Sequence, residues 1–276
     1  MKKVICVVDN TVQRSSRLWG EHGVAFWIET DRGCALFDTG QSGAVLSHNL
    51  EVSGLRPQDL HALALSHAHL DHTGGVRMVL SSNRGLPVYA NADLLRSRHS
   101  LHEGEYQSIG LPFPPEELTQ QADLRLSDSP IELLPSLWTT GKIRERLEPE
   151  GRSPNHVIYA DSEWRPDPYD DDMSLVIDTQ DGLVIICGCC HAGLLNTLAH
   201  VRRTFQRPIF AILGGTHLAT ADETNLEHIA KELREQHGSP YFYPNHCTGE
   251  LAYVAMVNAF GDRVRSCPAG TMLTFR

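Results

Sequence analysis

No apolar run in this chain of 276 residues approaches the ~18–20 residues that a membrane-crossing helix requires. Positive charge is also in short supply. There are 24 Lys and Arg against 34 Asp and Glu, a formal net charge of −10. General binding to nucleic acid or to an anionic membrane needs basic surface to meet phosphate, so this balance argues against both. It leaves room for a local basic pocket that takes a small anionic substrate. The amino terminus carries Lys2 and Lys3, but the apolar run Val4–Val8 stops at Asp9, too early for the core of a signal peptide. Cysteine is too unevenly placed for a disulfide framework. Its seven copies are an odd number, and Cys187, Cys189 and Cys190 crowd into four positions. That pattern fits a reducing compartment, and a cytoplasmic protein is expected.

What the chain does have is the segment Ser66-His67-Ala68-His69-Leu70-Asp71-His72-Thr73-Gly74-Gly75, directly after the apolar run His61–Leu65. Imidazole with carboxylate suits zinc first, with manganese, iron or nickel as alternatives, better than calcium or magnesium. His67 and His69 are two residues apart, so in extended backbone they point the same way and can hold one ion. Asp71 and His72 follow after the chain turns and suit a second ion beside the first. Two such ions can clamp both sides of a displacement and lower the pKa of bound water toward neutrality. Asp71 is then a ligand and a candidate proton acceptor.

The rest of the chain sorts into short strands and helices. Val4–Val8, Gly23–Thr30, Cys34–Asp38 and His61–Leu65 read as strands, with a helix over Ala44–Leu50 and another from Val76. Leu86–Ala90, Leu124–Leu126, Ile131–Leu134 and Leu137–Thr140 are further strands. A second hairpin, Ser174–Thr179 with Leu183–Cys187, precedes a helix from about Leu194 to Phe205. Then come a strand at Pro208–Leu213, a helix at Glu223–Gln236, a strand at Tyr241–Tyr243, a helix at Glu250–Phe260 and a closing strand at Met272–Phe275. Strands with hairpins followed by strand–helix units, twice over, predict an α/β chain folded as a four-layer αβ/βα sandwich, one domain over 1–276. Two Pro-rich stretches, 99–120 and 148–172, read as irregular lid insertions over one pocket.

The H-x-H-x-D-H run, with Phe37-Asp38-Thr39-Gly40 before it, resembles the metallo-β-lactamase superfamily. More narrowly it resembles the branch of 7,8-dihydropterin-6-methyl-4-(ribofuranosyl)aminobenzene-5′-phosphate synthase-like proteins. The segments that carry the narrower likeness are Glu21-His22-Gly23, Thr140–Arg144, Gly188–Gly193, Gly214–Leu218 and Asn245–Gly249. The resemblance implies a metal-dependent enzyme with one or two divalent ions, acting by hydrolysis or by a pterin-related condensation that displaces a phosphate group. It implies His246 as a late ligand and a ligand from Gly188–His191, with His191 preferred and Cys189 as the alternative. Superfamily members usually supply another histidine before a strand like Met173–Ile177. Here Tyr169–Ser174 has none. Either His156 is delivered by the loop, or one of Asp170–Asp172 substitutes, or one ion has fewer ligands.

Other residues have roles to be placed. Asp38 is expected to orient a ligating histidine. His22, His217 and the helix start at Thr248 are candidates for contact with an anionic substrate, and His217 for a catalytic part. Cys190 and Cys247 read as packed small hydrophobes. Lys142, Arg144 and Arg146 are either an anion-binding rim or a solvated loop. Two further readings are an iron-dependent dioxygenase on the same scaffold and a metal-binding scaffold without catalysis.

Overall fold

The computed structural model describes residues 1–276. Two large sheets stack face to face. The first has seven strands in the order Met272–Phe275, Lys2–Val8, Ala25–Thr30, Gly33–Phe37, Leu60–Ala64, Pro87–Ala90 and Asp123–Leu126. The second has six, in the order Tyr241–Pro244, Ile209–Gly214, Gly182–Cys187, Ser174–Thr179, Leu137–Thr139 and Glu132–Leu134.

Side-chain alternation sends each strand's residues to two cores. In Lys2–Val8, Val4 and Cys6 enter the core between the sheets, while Ile5 and Val7 face the helices. Phe26 and Ile28 likewise face inward toward Leu175, Ile177, Val184 and Ile186 of the other sheet. The helices Gly43–Val52 and Val76–Ser82 cover the first sheet with Leu46, Leu50, Val76 and Val79. Leu194–Phe205 and Glu223–Glu235 cover the second. In the latter helix Leu226, Ile229 and Leu233 recur at helical spacing, and Asp222 caps its start by accepting from the Asn225 N–H at 2.8 Å. The result is the four-layer sandwich expected from the order of elements.

The two insertions differ from the irregular lids expected of them. Arg98–His102 and Glu105–Ser108 form one hairpin, His156–Ala160 and Glu163–Pro166 another, and the two pair into a four-stranded antiparallel sheet. Proline sits only at its ends, which is where a strand tolerates it. Arg98 pins this sheet to the sandwich. Its fully buried guanidinium lies 2.7 Å from Asp171 Oδ1, 3.0 Å from Asp93 Oδ2 and 3.1 Å from Asp167 Oδ2.

Candidate metal centre

The strand Leu60–Ala64 ends inside the sandwich, and the turn after it carries His67, His69, Asp71 and His72 to the edge where the two sheets meet. The strand Gly182–Cys187 ends opposite, delivering Cys189 and His191, and Tyr241–Pro244 delivers His246. The resulting cleft encloses about 280 Å³.

Donor atoms converge there in two groups. His67 Nε2 lies 3.0 Å from His69 Nδ1, and His67, Cys189 and His191 bring one donor each to within 4.8 Å of one another. On the other side, Asp71 Oδ2 lies 3.5 Å from His72 Nε2 and 3.2 Å from His246 Nε2, and Cys189 again joins the group, its sulfur 3.2 Å from His72 Nε2. Cys189 is therefore common to both groups, and His191 belongs to the first. The alternatives of Cys189 or His191 resolve into both residues facing the cluster. Cys190 between them takes a left-handed φ of 55° and packs away from the cluster, in the helix-side core.

The far nitrogen of most of these rings is fixed. His72 Nδ1 lies 2.7 Å from Asp38 Oδ2, His67 Nδ1 2.9 Å from Ser66 Oγ, His191 Nδ1 2.6 Å from the Gly151 carbonyl oxygen and His246 Nδ1 3.0 Å from Asn10 Oδ1. Each partner accepts a proton from Nδ1, which leaves the Nε2 lone pair free to face the cluster. His191 Nε2 is buried and has no partner within the protein. Burial lowers the pKa of His67, His69 and His191 well below the ordinary value, so these rings are neutral and able to ligate. Burial also lowers that of His72, but Asp71 and Asp38 outweigh it and raise its pKa to about 9. The carboxylates thus create a place for positive charge, which a proton or a metal cation can fill. Neutral imidazoles, one thiol and one carboxylate form a donor set that fits a divalent cation such as zinc.

The aspartates before Met173 do not join the donors. Asp170 pairs with Lys142 at 2.9 Å. Asp171 is buried and accepts from the Ala68 N–H at 2.8 Å, between the two histidines of the first pair. Asp172 is buried and accepts from the Ala192 N–H at 2.8 Å, directly after His191. They hold the backbone of both ligand turns, a role that nothing in their spacing announced. His156 lines the cleft and its ring centroid lies 5.0 Å from that of His69, but it stands outside both donor groups. Burial lowers its pKa to about 4. The tally of a missing ligand therefore changes. His191 stands beside His67, so the first group has three histidines without one from Tyr169–Ser174.

His22 is exposed at the cleft mouth, 3.3 Å from Asp71 Oδ2, and His217 lines the cleft beside His191. Thr248 differs from expectation. It is buried, its hydroxyl accepts from the Thr216 hydroxyl at 3.0 Å, and it does not line this cleft. The basic loop makes no rim either, because Arg144 pairs with Asp128 and Arg146 with Glu150. Cys190 packs in the helix-side core as expected. Cys247 instead lies within the cleft lining, accepting from the His217 N–H at 3.2 Å and grouped with Cys189.

A stacked pair of αβ layers with His, Asp and Cys donors at the shared edge defines the fold of a class of metal-dependent enzymes. The chain belongs to the metallo-beta-lactamase superfamily, whose sequence pattern matches residues 18–189. It is 27% identical to the 7,8-dihydropterin-6-methyl-4-(beta-D-ribofuranosyl)-aminobenzene-5'-phosphate synthase of Methanocaldococcus jannaschii, over 99% of this chain and 96% of that one. The exodeoxyribonuclease WalJ of Streptococcus pneumoniae is 38% identical over 72 residues, 26% of each chain. Among solved structures, Tm1679, a metal-dependent hydrolase of the beta-lactamase superfamily, superposes with a TM-score of 0.84 at 27% identity over 99% of both chains. YhfI from Bacillus subtilis shares the fold, with a TM-score of 0.60 at 12% identity. No helix is long and apolar enough to cross a membrane.

Proposed function

We propose that this chain is a metal-dependent hydrolase of small, anionic phosphorylated or ester substrates, holding two zinc ions between its two donor groups. The observation that carries this reading is the position of Cys189, grouped with His67 and His191 on one side and with His72 and His246 on the other, with His69 adjoining His67 at 3.0 Å and Asp71 adjoining His246 at 3.2 Å. His67, His69 and His191 would hold one ion, and Asp71, His72 and His246 the other. When bound, the ions supply Lewis acidity toward the substrate and a lowered pKa for water. The chain's own residues do the remainder. Asp38, Ser66, Asn10 and the Gly151 carbonyl set the ring orientations. His22 and His217 stand at the mouth, where they can meet an anionic group of the substrate.

A second reading is a condensation that displaces a phosphate leaving group from a pterin-type substrate. It is favoured by the full-length likeness to the methanogen synthase. Both readings need the same donors and differ in whether water or an amine or arene attacks.

The test pairs elemental analysis of protein purified without added metal with turnover on phosphate monoesters, diesters and carboxylic esters. About two equivalents of zinc and release of phosphate or acid are expected, with His191→Ala retaining about one equivalent. One equivalent of iron with oxygen consumption, or a full metal complement with no turnover, overturns the proposal.

A further inference from the structure

His156 is a cleft histidine whose far nitrogen is held by a phenol. Its Nδ1 lies 2.8 Å from the Tyr169 hydroxyl. That hydroxyl also accepts from the Ser153 N–H at 3.2 Å. Tyr169 is buried, 1% exposed, and its ring stacks on His191 with centroids 4.1 Å apart and planes 14° apart.

This geometry fixes a proton. A phenol has one proton to give. If the His156 Nδ1–H donated to the Tyr169 oxygen, which already accepts from the Ser153 N–H at 3.2 Å, the phenolic proton would be left with the Ser153 side chain as its neighbouring acceptor. The contact to Nδ1, at 2.8 Å, is the one with good hydrogen-bond geometry, so the phenol donates to Nδ1 and the proton of the neutral ring sits on Nε2. That Nε2 makes no hydrogen bond inside the protein, and the ring lines the cleft edge-on to His69. It stands outside both donor groups.

We propose that His156 is a catalytic residue that donates a hydrogen bond from Nε2–H to an anionic oxygen of the substrate, with Tyr169 as the positioning residue that fixes its tautomer. The proposal rests on the reading above for the class of substrate, a phosphorylated or other oxyanionic compound. Ser153 sets the phenol, the phenol sets the imidazole, and the imidazole meets the oxygen. The insertion that carries His156 is thereby a part of the site, beyond its role as cover. A preorganised donor of this kind reaches its oxygen without rearrangement, the condition under which a hydrogen bond contributes most to a reaction.

The experiment uses the full zinc-loaded chain and inorganic phosphate as the probe, with binding read by calorimetry. His156→Ala is expected to weaken phosphate binding by about 10- to 100-fold, as for loss of a hydrogen bond to a charged group. Zinc content is expected to stay unchanged. His156→Gln, which keeps an N–H at similar reach, is expected to recover most of that loss. Nitrogen NMR of the wild-type protein is expected to show His156 protonated on Nε2, and Tyr169→Phe to mix the two tautomers. The proposal is overturned by a wild-type ring protonated on Nδ1, by phosphate binding that is absent or indifferent to His156→Ala, or by loss of zinc from His156→Ala. Failure of the hydrolase reading shows separately, as absent turnover in wild-type protein whose phosphate binding and tautomer still judge His156.

Discussion

Asp38 and Ser66 are joined twice, once from the Ser66 N–H and once from the Ser66 hydroxyl, each at 2.7 Å. Because Ser66 Oγ gives its proton to Asp38, it accepts from His67 Nδ1. The same Asp38 carboxylate accepts from His72 Nδ1. A single buried carboxylate therefore orients one ring in each donor group.

Asp38→Ala should loosen both groups together. Outer partners of ligating histidines are typically worth 10–100-fold in metal affinity. Titration against a competing chelator should show both ions weakened by about that factor. A loss confined to one ion would contradict the shared role of Asp38.

Gly188→Ala tests the same network from the other sheet. A Cβ at Gly188 would lie 2.2 Å from Ser66 Oγ and 3.0 Å from Asp38 Oδ2, neither of which is a free side-chain end. The substitution should displace the Ser66–Asp38 pair and cost roughly 1–3 kcal/mol, as overpacking does. Denaturant unfolding should show a lower midpoint, and elemental analysis less metal.

Arg98→Met should be the most damaging change away from the donors. It leaves Asp167 and Asp171 buried without their cation, and breaking a buried pair in this way costs about 3–5 kcal/mol. Thermal unfolding reads the loss. Adding Asp171→Asn to this variant should return part of it, since one uncompensated carboxylate is then removed.

Asp171 also predicts a pH dependence. Burial raises its pKa to about 7, although Arg98 opposes the rise. In the unfolded chain the group titrates near roughly 3.9. Between those values the folded state binds more protons, so this group's contribution to stability declines as pH rises from about 4 to 7. Asp171→Asn lacks that decline. Its stability relative to wild type should therefore increase between pH 5 and 8, by on the order of 2–3 kcal/mol. Unfolding curves across the range check this, and parallel pH profiles would contradict it.

Much of this site was legible in the sequence because its first half is local. His67, His69, Asp71 and His72 fall in six positions after a buried strand, and spacing alone sorts them into two pairs. His246 came into view only through family resemblance, since one histidine after a short strand carries no pattern of its own. Cys189 and His191 looked like alternatives because the resemblance implies one ligand from Gly188–His191 without fixing its register. Asp171 and Asp172 were legible only as substitute ligands, and their actual role was not. They act on backbone N–H groups of Ala68 and Ala192, far away in the chain, and a backbone donor leaves no mark in sequence. The sandwich followed from the order of hairpins and strand–helix units, with buried strands such as Lys2–Val8 legible as short apolar runs, whereas Glu105–Ser108 is exposed along its whole length and offered no burial pattern to read.

The donors come from both halves of the sandwich: His67 to His72 from the first sheet, Cys189, His191 and His246 from the second. An ion held among them is a cross-link between the halves, closing the long stretch of chain that lies between His67 and His191. Its binding energy would then act as a clasp on the fold. Pulling the sheets apart by heat or denaturant would first have to release the metal, so a chelator should speed unfolding even where it leaves the hydrophobic cores untouched.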